Sequence, residues 1–390
     1  MALRLITSGE SHGPALVAVL EGLPAGLPVS EADINGELER RQKGYGAGPR
    51  MKLESDKARL LGGVMEGKTI GSPLALTIEN QDHVRWAGKA IDPFSLPRPG
   101  HADLTGAIKY GFSDMRPALE RASARETAAR VAAGAVCKKL LAYFGISVGG
   151  YVVSIGPVRA DLAGIPDKER FRLAEESDVR CPAPAAAEAM RAAIAAIMQA
   201  RDTLGGVIET LALGLPPGLG SYAAWERRLE ARLGAAVLSI QAVKGVEFGP
   251  AFENATLPGT QVQDSIRLDG DRLVRSTNRA GGLEGGISNG QPLVVRAAMK
   301  PIATTLTSQP TVDLTSGVEQ PTHYERSDFC PVPRAVPVVE AMVALVLADA
   351  LIEKLGGDSL EEMAPRFTAL RQARLEDVRM DGQPHIWWPE

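Results

Sequence analysis

Residues 22–27 read G-L-P-A-G-L, and residues 214–219 read G-L-P-P-G-L. A second matching pair sits upstream of each copy: E-S-H-G at 10–13 and D-T-L-G at 202–205, again 192 residues apart (202−10 and 214−22). Working outward, each copy is followed by an Arg/Glu-rich stretch with helical composition, E-L-E-R-R at 37–41 and W-E-R-R-L-E at 225–230. G-S-P-L at 71–74 and G-Q-P-L at 290–293 each open a strand pattern. R-A-S-A-R-E at 121–126 and R-A-V-P-V-V-E at 334–340 each open a helix. Short Gly/Pro motifs recur by chance, but their common order points to an ancient duplication. The expected fold is α/β, in the α+β sense, with strands and helices packed in layers and two internally duplicated halves.

Periodicity places the individual elements. Leu16 to Leu20 reads as a short buried strand and Glu31 to Arg41 as a helix. Residues 73–79, P-L-A-L-T-I-E, alternate like a half-buried strand. Thr127 to Phe144 reads as a long Ala-rich helix stopped at Gly145, Tyr151 to Ile155 as a strand, and Ala185 to Ala200 as a helix entered after Pro184. A last helix runs from the 334–340 stretch to Leu355.

Composition narrows the function classes. At 390 residues, the chain can bury a large core. With aromatics at 5% it lacks stacking platforms for single-stranded nucleic acid, and a net charge of −4 gives no global basic field. Any anion site must be local, and nucleic acid is not an expected partner. The first residues carry no apolar leader, and no apolar run of membrane-spanning length is expected. Cys137, Cys181 and Cys330 are too dispersed for a metal spacing, so free thiols and a cytoplasmic setting are expected.

The chemistry-bearing residues gather in a few loops. Residues 98–130 begin with Arg98 and His101 in R-P-G-H-A-D and end at a helix start. There Ser123 and Glu126 fit the S-x-x-E capping box, flanked by Arg121 and Arg125. A helix N-terminus attracts anions, and two arginines strengthen the attraction, although an ordinary helix start with solvated arginines would look the same. The repeat supplies an internal control for His12: the second copy has Leu204 at that position, so the turn itself does not require imidazole. A loop histidine titrating near pH ~6.5 is suited to proton transfer.

Other candidates carry a bland reading beside the functional one. The loop with Arg40, Arg41, Lys43, Arg50 and Lys52 is pliable through Gly44, Gly46 and Gly48, and could order over an anion or form a solvated edge. A-G-G-L-E-G-G-I-S-N-G at 280–290 is either a glycine-rich hairpin or a close backbone approach to a flat ring. Lys300 follows a strand in K-P-I-A-T-T. Arg326 and Asp328 precede the last helix, as an ion pair or with Asp328 as a base. There is no nucleophile elbow, Walker loop or metal cluster in the sequence. Residue chemistry thus indicates acid–base work or elimination on a small phosphate ester rather than phosphoryl transfer from a nucleotide.

Together these motifs resemble the chorismate synthase family. The resemblance rests on G-E-S-H-G-P-A-L-V-A-V-L-E-G-L-P, E-R-A-S-A-R-E-T-A-A-R-V-A-A-G-A-V and R-S-D-F-C-P-V-P-R-A-V-P-V-V-E-A-M, with R-P-G-H-A-D, Q-A-V-K-G and A-G-G-L-E-G-G-I-S. It spans residues 4 to about 355, implying one domain over 1–355 and a charged tail over 356–390. The family implies a layered β-α-β sandwich, a homotetramer, and the trans-1,4-elimination of phosphate from 5-enolpyruvylshikimate 3-phosphate to give chorismate. Reduced FMN (FMNH2) is required without net redox change. By resemblance, His12 protonates the departing phosphate, His101 serves the flavin edge and Asp328 is a base. Arg41, Arg50, Met51, Arg98 and Arg125 line the substrate site. Arg121, Ala122, Ser123, Ala124, Gln241, Ala242, Gly286, Lys300, Thr304 and Arg326 hold FMN. Many relatives carry Arg where this chain has Ala47, which unsettles any transfer of NADPH contacts to that loop. An external flavin reductase is expected, since there is no dinucleotide fingerprint. The alternative reading is a flavin-dependent oxidoreductase with net hydride transfer to or from a phosphorylated small molecule.

Overall fold

The computed structural model describes residues 3–47, 55–323 and 327–388. Its first half builds β1 (Arg4–Ser8), β2 (Ala15–Glu21), α1 (Glu31–Gln42), β3 (Ala58–Gly62) and β4 (Leu74–Glu79). Two short helices follow, α2 (Asp103–Tyr110) and α3 (Arg116–Ala122), then the long α4 (Thr127–Tyr143). The second half contributes β5 (Ser147–Ile155), α5 (Asp167–Glu176), α6 (Pro184–Gln199), β6 (Gly206–Leu213), α7 (Leu229–Leu238), β7 (Val243–Phe248), β8 (Leu293–Met299), α8 (Val332–Leu355) and α9 (Leu360–Thr368).

The duplication is visible in the sheets. The first runs β1-β2-β4-β3 and the second β5-β6-β8-β7, with one short extra strand beside β5. Every pairing is antiparallel. The repeat motifs occupy equivalent places. E-S-H-G leads into β2 and D-T-L-G into β6, while the two G-[SQ]-P-L motifs enter β4 and β8. The second Arg/Glu stretch differs in detail. Residues 225–227 form a 3-10 turn, and α7 begins only at Leu229.

Helices fill the space between the sheets. α4 packs on β2 and α8 on β5 and β6, while α4 and α8 pack on each other, with α1 and α7 at their sides. This is the expected β-α-β sandwich. α4 is buried on nearly all its faces because its small residues let α8 approach: a Cβ added to Gly134 would stand 2.3 Å from the Cβ of Ala341. The expectation of no membrane-length apolar run does not hold by length and composition. α8 has 24 residues and a mean hydropathy of 2.2 over its most apolar window, but 89% of that window is buried in the protein. It is apolar all round because protein surrounds it.

One charged knot lies inside this layer. Glu340 of α8 is wholly buried; its carboxylate takes Arg40 at 2.7 Å, Lys138 at 2.8 Å and the Gly150 N–H at 2.8 Å. Burial works against its ionisation, but Arg40 and Lys138 outweigh burial and hold it well below the ordinary carboxylate range. Beyond α8, Leu360 and Met363 of α9 are buried in the same core, and Phe367 packs on Phe144 at 4.9 Å. Cys137, Cys181 and Cys330 are free and buried.

Candidate functional site

A cleft of about 790 Å³ opens where the entry turn of β2, the loop before α2, the α3–α4 junction, and the loops after α7, β8 and before α8 converge. His12, Arg98, His101, Ala122, Ser123, Ala124, Gln241, Ala242, Lys300, Thr304 and Asp328 all line it. Residues more than 300 positions apart in sequence therefore share one cavity.

The α3–α4 junction is built differently from the expected capping box. Ser123 Oγ accepts a hydrogen bond from the Arg125 N–H at 3.3 Å and starts a single 3-10 turn, Ala124–Glu126, before α4. The Glu126 carboxylate does not close the box. It accepts from Thr7 Oγ1 at 2.7 Å and from Arg130 Nε at 2.9 Å. A true capping box caps α1, where Ser30 and Asp33 bond each other's backbone N–H. Ser123 Oγ also lies 3.2 Å from Ser11 Oγ, so the junction and the β2 turn are joined at the cleft wall.

His12 is held from several sides. Its Nδ1 lies 2.7 Å from Glu120 Oε1, and its backbone N–H donates to Glu120 Oε2 at 2.7 Å. His83 Nδ1 donates to the His12 carbonyl at 2.9 Å, and the Trp86 ring stands 5.1 Å from the imidazole, tilted by 57°. Burial raises the Glu120 carboxyl, but the hydrogen bonds from the His12 ring and backbone overcome it, and the net direction is downward.

Arg98 and His101 share a second buried carboxylate, that of Asp103. It receives Arg98 Nε at 2.8 Å and Nη2 at 2.9 Å, and meets His101 Nδ1 at 2.6 Å. Burial opposes ionisation here too, yet these partners hold Asp103 well below the carboxylate range. At Asp328 the ion pair runs to Arg334, at the start of α8.

Other expected residues stand behind or beside the cleft. Arg41 and Arg125 are buried and share Asp56, with Arg125 Nη1 at 2.6 Å and Arg41 Nη1 at 3.4 Å. Arg125 also donates to Asn80 Oδ1, and Arg41 to Thr127 Oγ1. Arg121 reaches across the surface to the carbonyls of Thr7 and Gly9. Gly286 lies outside the cleft lining, in a hairpin turn packed on Ser221 and Arg228. Arg50, Met51 and Arg326 lie outside the described residues, as does Lys52. Lys43 is exposed and pairs with Glu39 one helical turn earlier. Sequence reading passed over Ser11, Trp86 and Arg116 in the lining, and Glu120 and Asp103 behind it. Both acids sit inside motifs already quoted, Glu120 at the start of E-R-A-S-A-R-E and Asp103 at the end of R-P-G-H-A-D, so a search for a carboxylate partner to each loop histidine takes them as candidates.

The lining suits a flat, anionic, hydrogen-bonding group. The Gln241 Oε1 atom is buried with no hydrogen-bond partner among the described residues. Among the described residues, Lys300 Nζ donates to the carbonyls of Gly100 and Pro301, at 3.3 and 3.4 Å, and pairs with no carboxylate. Ala242 holds a left-handed backbone (φ +65°) beside them, an unusual conformation for a residue with a Cβ.

Comparison with known proteins agrees with this picture. The family model described as chorismate synthase matches residues 3–352. A chorismate synthase of Chlorobaculum tepidum is 50% identical, covering 95% of this chain and 98% of its own length. That of Aquifex aeolicus is 51% identical over 94% and 96%. A crystal structure of chorismate synthase superposes with a TM-score of 0.79 at 45% identity, covering 95% of this chain and 97% of that one.

Proposed function

The chain belongs to the chorismate synthase family, and we propose that its cleft is where phosphate leaves 5-enolpyruvylshikimate 3-phosphate by trans-1,4-elimination to give chorismate, closing the shikimate pathway. The observation that carries this reading is the convergence of two carboxylate-held histidines, His12 and His101, with Arg98, Lys300 and Asp328 on one cavity. A departing phosphate gains charge as its C–O bond breaks. Fixed cations and a protonated imidazole stabilise that charge in place. His12 is the proton donor to the phosphate, and Arg98, fixed by Asp103, binds it. Arg41 and Arg125 stiffen the wall and add positive potential from behind, and Arg50 and Met51 are assigned to the substrate by resemblance alone. Asp328, oriented by Arg334, is the proton acceptor supplied to the cleft by the second half.

The class is a carbon–oxygen lyase, and the flavin is reduced FMN. Ser123, Ala124, Gln241, Ala242, Lys300 and Thr304 would hold it, with His101 at its edge and Ala122, Arg121, Gly286 and Arg326 assigned to the same task. Held there, reduced flavin would supply electron density for the loss of phosphate without net redox change. The assembly is a homotetramer in the cytoplasm, served by an external flavin reductase. The test is an anaerobic assay with reduced FMN and the phosphate ester. Phosphate and chorismate should appear together, with NADPH needed only to reduce the flavin. No release under those conditions overturns the proposal, and stoichiometric NADPH consumption would favour an oxidoreductase.

A further inference from the structure

We propose that Glu120 is a positioning residue for this reaction, its carboxylate locking His12 in the tautomer that leaves Nε2 to exchange the proton. The inference rests on the reading of His12 as proton donor and adds a residue to it. An ionised carboxylate only accepts hydrogen bonds. Glu120 faces two groups of the same residue, the ring Nδ1 and the backbone N–H, each at 2.7 Å. Nδ1 must therefore carry hydrogen, and Nε2 is the nitrogen left for proton transfer. The second oxygen fixes the turn from which the ring projects, and Ser11 N–H donates to the Glu120 carbonyl at 3.2 Å. One residue of α3 thus fixes both the backbone and the ring.

The neighbouring dyad shows what is distinctive here. Asp103 also contacts a histidine Nδ1, but Arg98 already occupies both of its oxygens. Among the described residues, no guanidinium or ammonium hydrogen-bonds to Glu120; Arg116 acts on it only through space. Its negative charge is therefore directed at the His12 ring and stabilises the imidazolium. In the step, that imidazolium passes one proton from Nε2 to the phosphate oxygen. The C–O bonding pair leaves with the phosphate, and the neutral ring is reprotonated from solvent.

Glu120→Gln keeps the size and removes the charge. The expected result is a loss of about tenfold or more in kcat with KM changed less than about twofold, since partners that orient a catalytic group contribute on that scale. The pH at which kcat falls away on the alkaline side should move lower. In a His12→Gln background the same substitution should have no further effect, because residues acting as one unit are non-additive. A wild-type kcat and pH profile in Glu120→Gln overturns the proposal. So does an undiminished Glu120→Gln effect in the double variant, which marks a purely structural role. Should Glu120→Gln fail to fold, 15N spectra of histidine-labelled wild-type protein decide: the Nδ1–H tautomer at His12 supports the proposal and the Nε2–H tautomer sinks it. Full turnover in His12→Gln, by contrast, removes His12 from the mechanism while leaving that spectrum as a separate measure of Glu120.

Discussion

The turn at 10–13 and the turn at 202–205 feed equivalent strands, and each docks by a backbone N–H just ahead of an equivalent helix. Ser11 donates to the Glu120 carbonyl, and Leu204 donates to that of Phe329. The side chains then diverge. His12 faces Glu120, Trp86 and the cleft, while Leu204 packs against the core. One copy of the turn turns its side chain to the cleft and the other turns it to the core; on the proposed function the first carries chemistry and the second packing. Duplication supplied a second scaffold whose position could be used for stability alone. The first half gives the histidines and Arg98, and the second gives Gln241, Lys300 and Asp328 from its loops.

The strongest challenge to this comparison lies where the halves are joined. Glu340→Ala removes the second half's carboxylate and the acceptor of the Gly150 N–H, and leaves the first half's Arg40 and Lys138 to Glu37, with Glu175 also on Arg40. The expected cost is about 3–5 kcal/mol, read by denaturant unfolding. A cost below about 1 kcal/mol would show that the halves do not depend on this knot.

Next come the two turns. His12→Ala should cut turnover by about a hundredfold or more, with FMN binding and the unfolding midpoint little changed. Leu204→Ala should do the reverse, costing about 1–3 kcal/mol of stability with turnover per folded enzyme retained. If Leu204→Ala impairs turnover as much as His12→Ala does, the division of labour is wrong.

Acid sensitivity sharpens the contrast within the first half. Asp103 is held below its ordinary range, so its contribution is fully present above the unfolded carboxylate value of ~3.9 and is lost as pH falls through the lower folded value. Asp103→Asn should flatten the acid limb of the stability-versus-pH curve; an unchanged limb would mean that other carboxylates dominate. The smallest effect is expected at Ser123→Ala, about 0.5–1 kcal/mol for one long cap bond, measured by thermal melting.

Much of this architecture was legible before any coordinates. Local rules located the strands from Leu16 and Leu74 and the helices from Glu31, Thr127 and Pro184 within a residue or two, because apolar period and Gly/Pro punctuation are local signals. The order of the repeat motifs correctly implied equivalent sheets. The histidines and Arg98 could be singled out as scarce polar residues in loops. What sequence could not supply was partnership across space. Glu126 satisfied a local capping rule but turned to Thr7, 119 positions away. Arg41 and Arg125 looked like anion ligands, but each spends bonds on Asp56. Asp103 lies two residues from its imidazole, but that Glu120 faces His12, 108 positions away, is set by the fold alone. Pairings that depend on the tertiary fold leave no periodic trace.

The Gly134–Ala341 crossing has a consequence for how the chain is made. The face of α4 that it buries is completed only by α8. Residue 355 is synthesised 212 positions after residue 143 (355−143). At translation rates of about 5–20 residues per second, the Ala- and Val-rich surface of α4 waits about 10–40 s for its partner. During that interval the first half is a sheet with an uncovered helix, exposed to aggregation. This close-packed helix seam is therefore among the last to close, and the nascent protein depends longest on shielding along a face that the finished core hides completely.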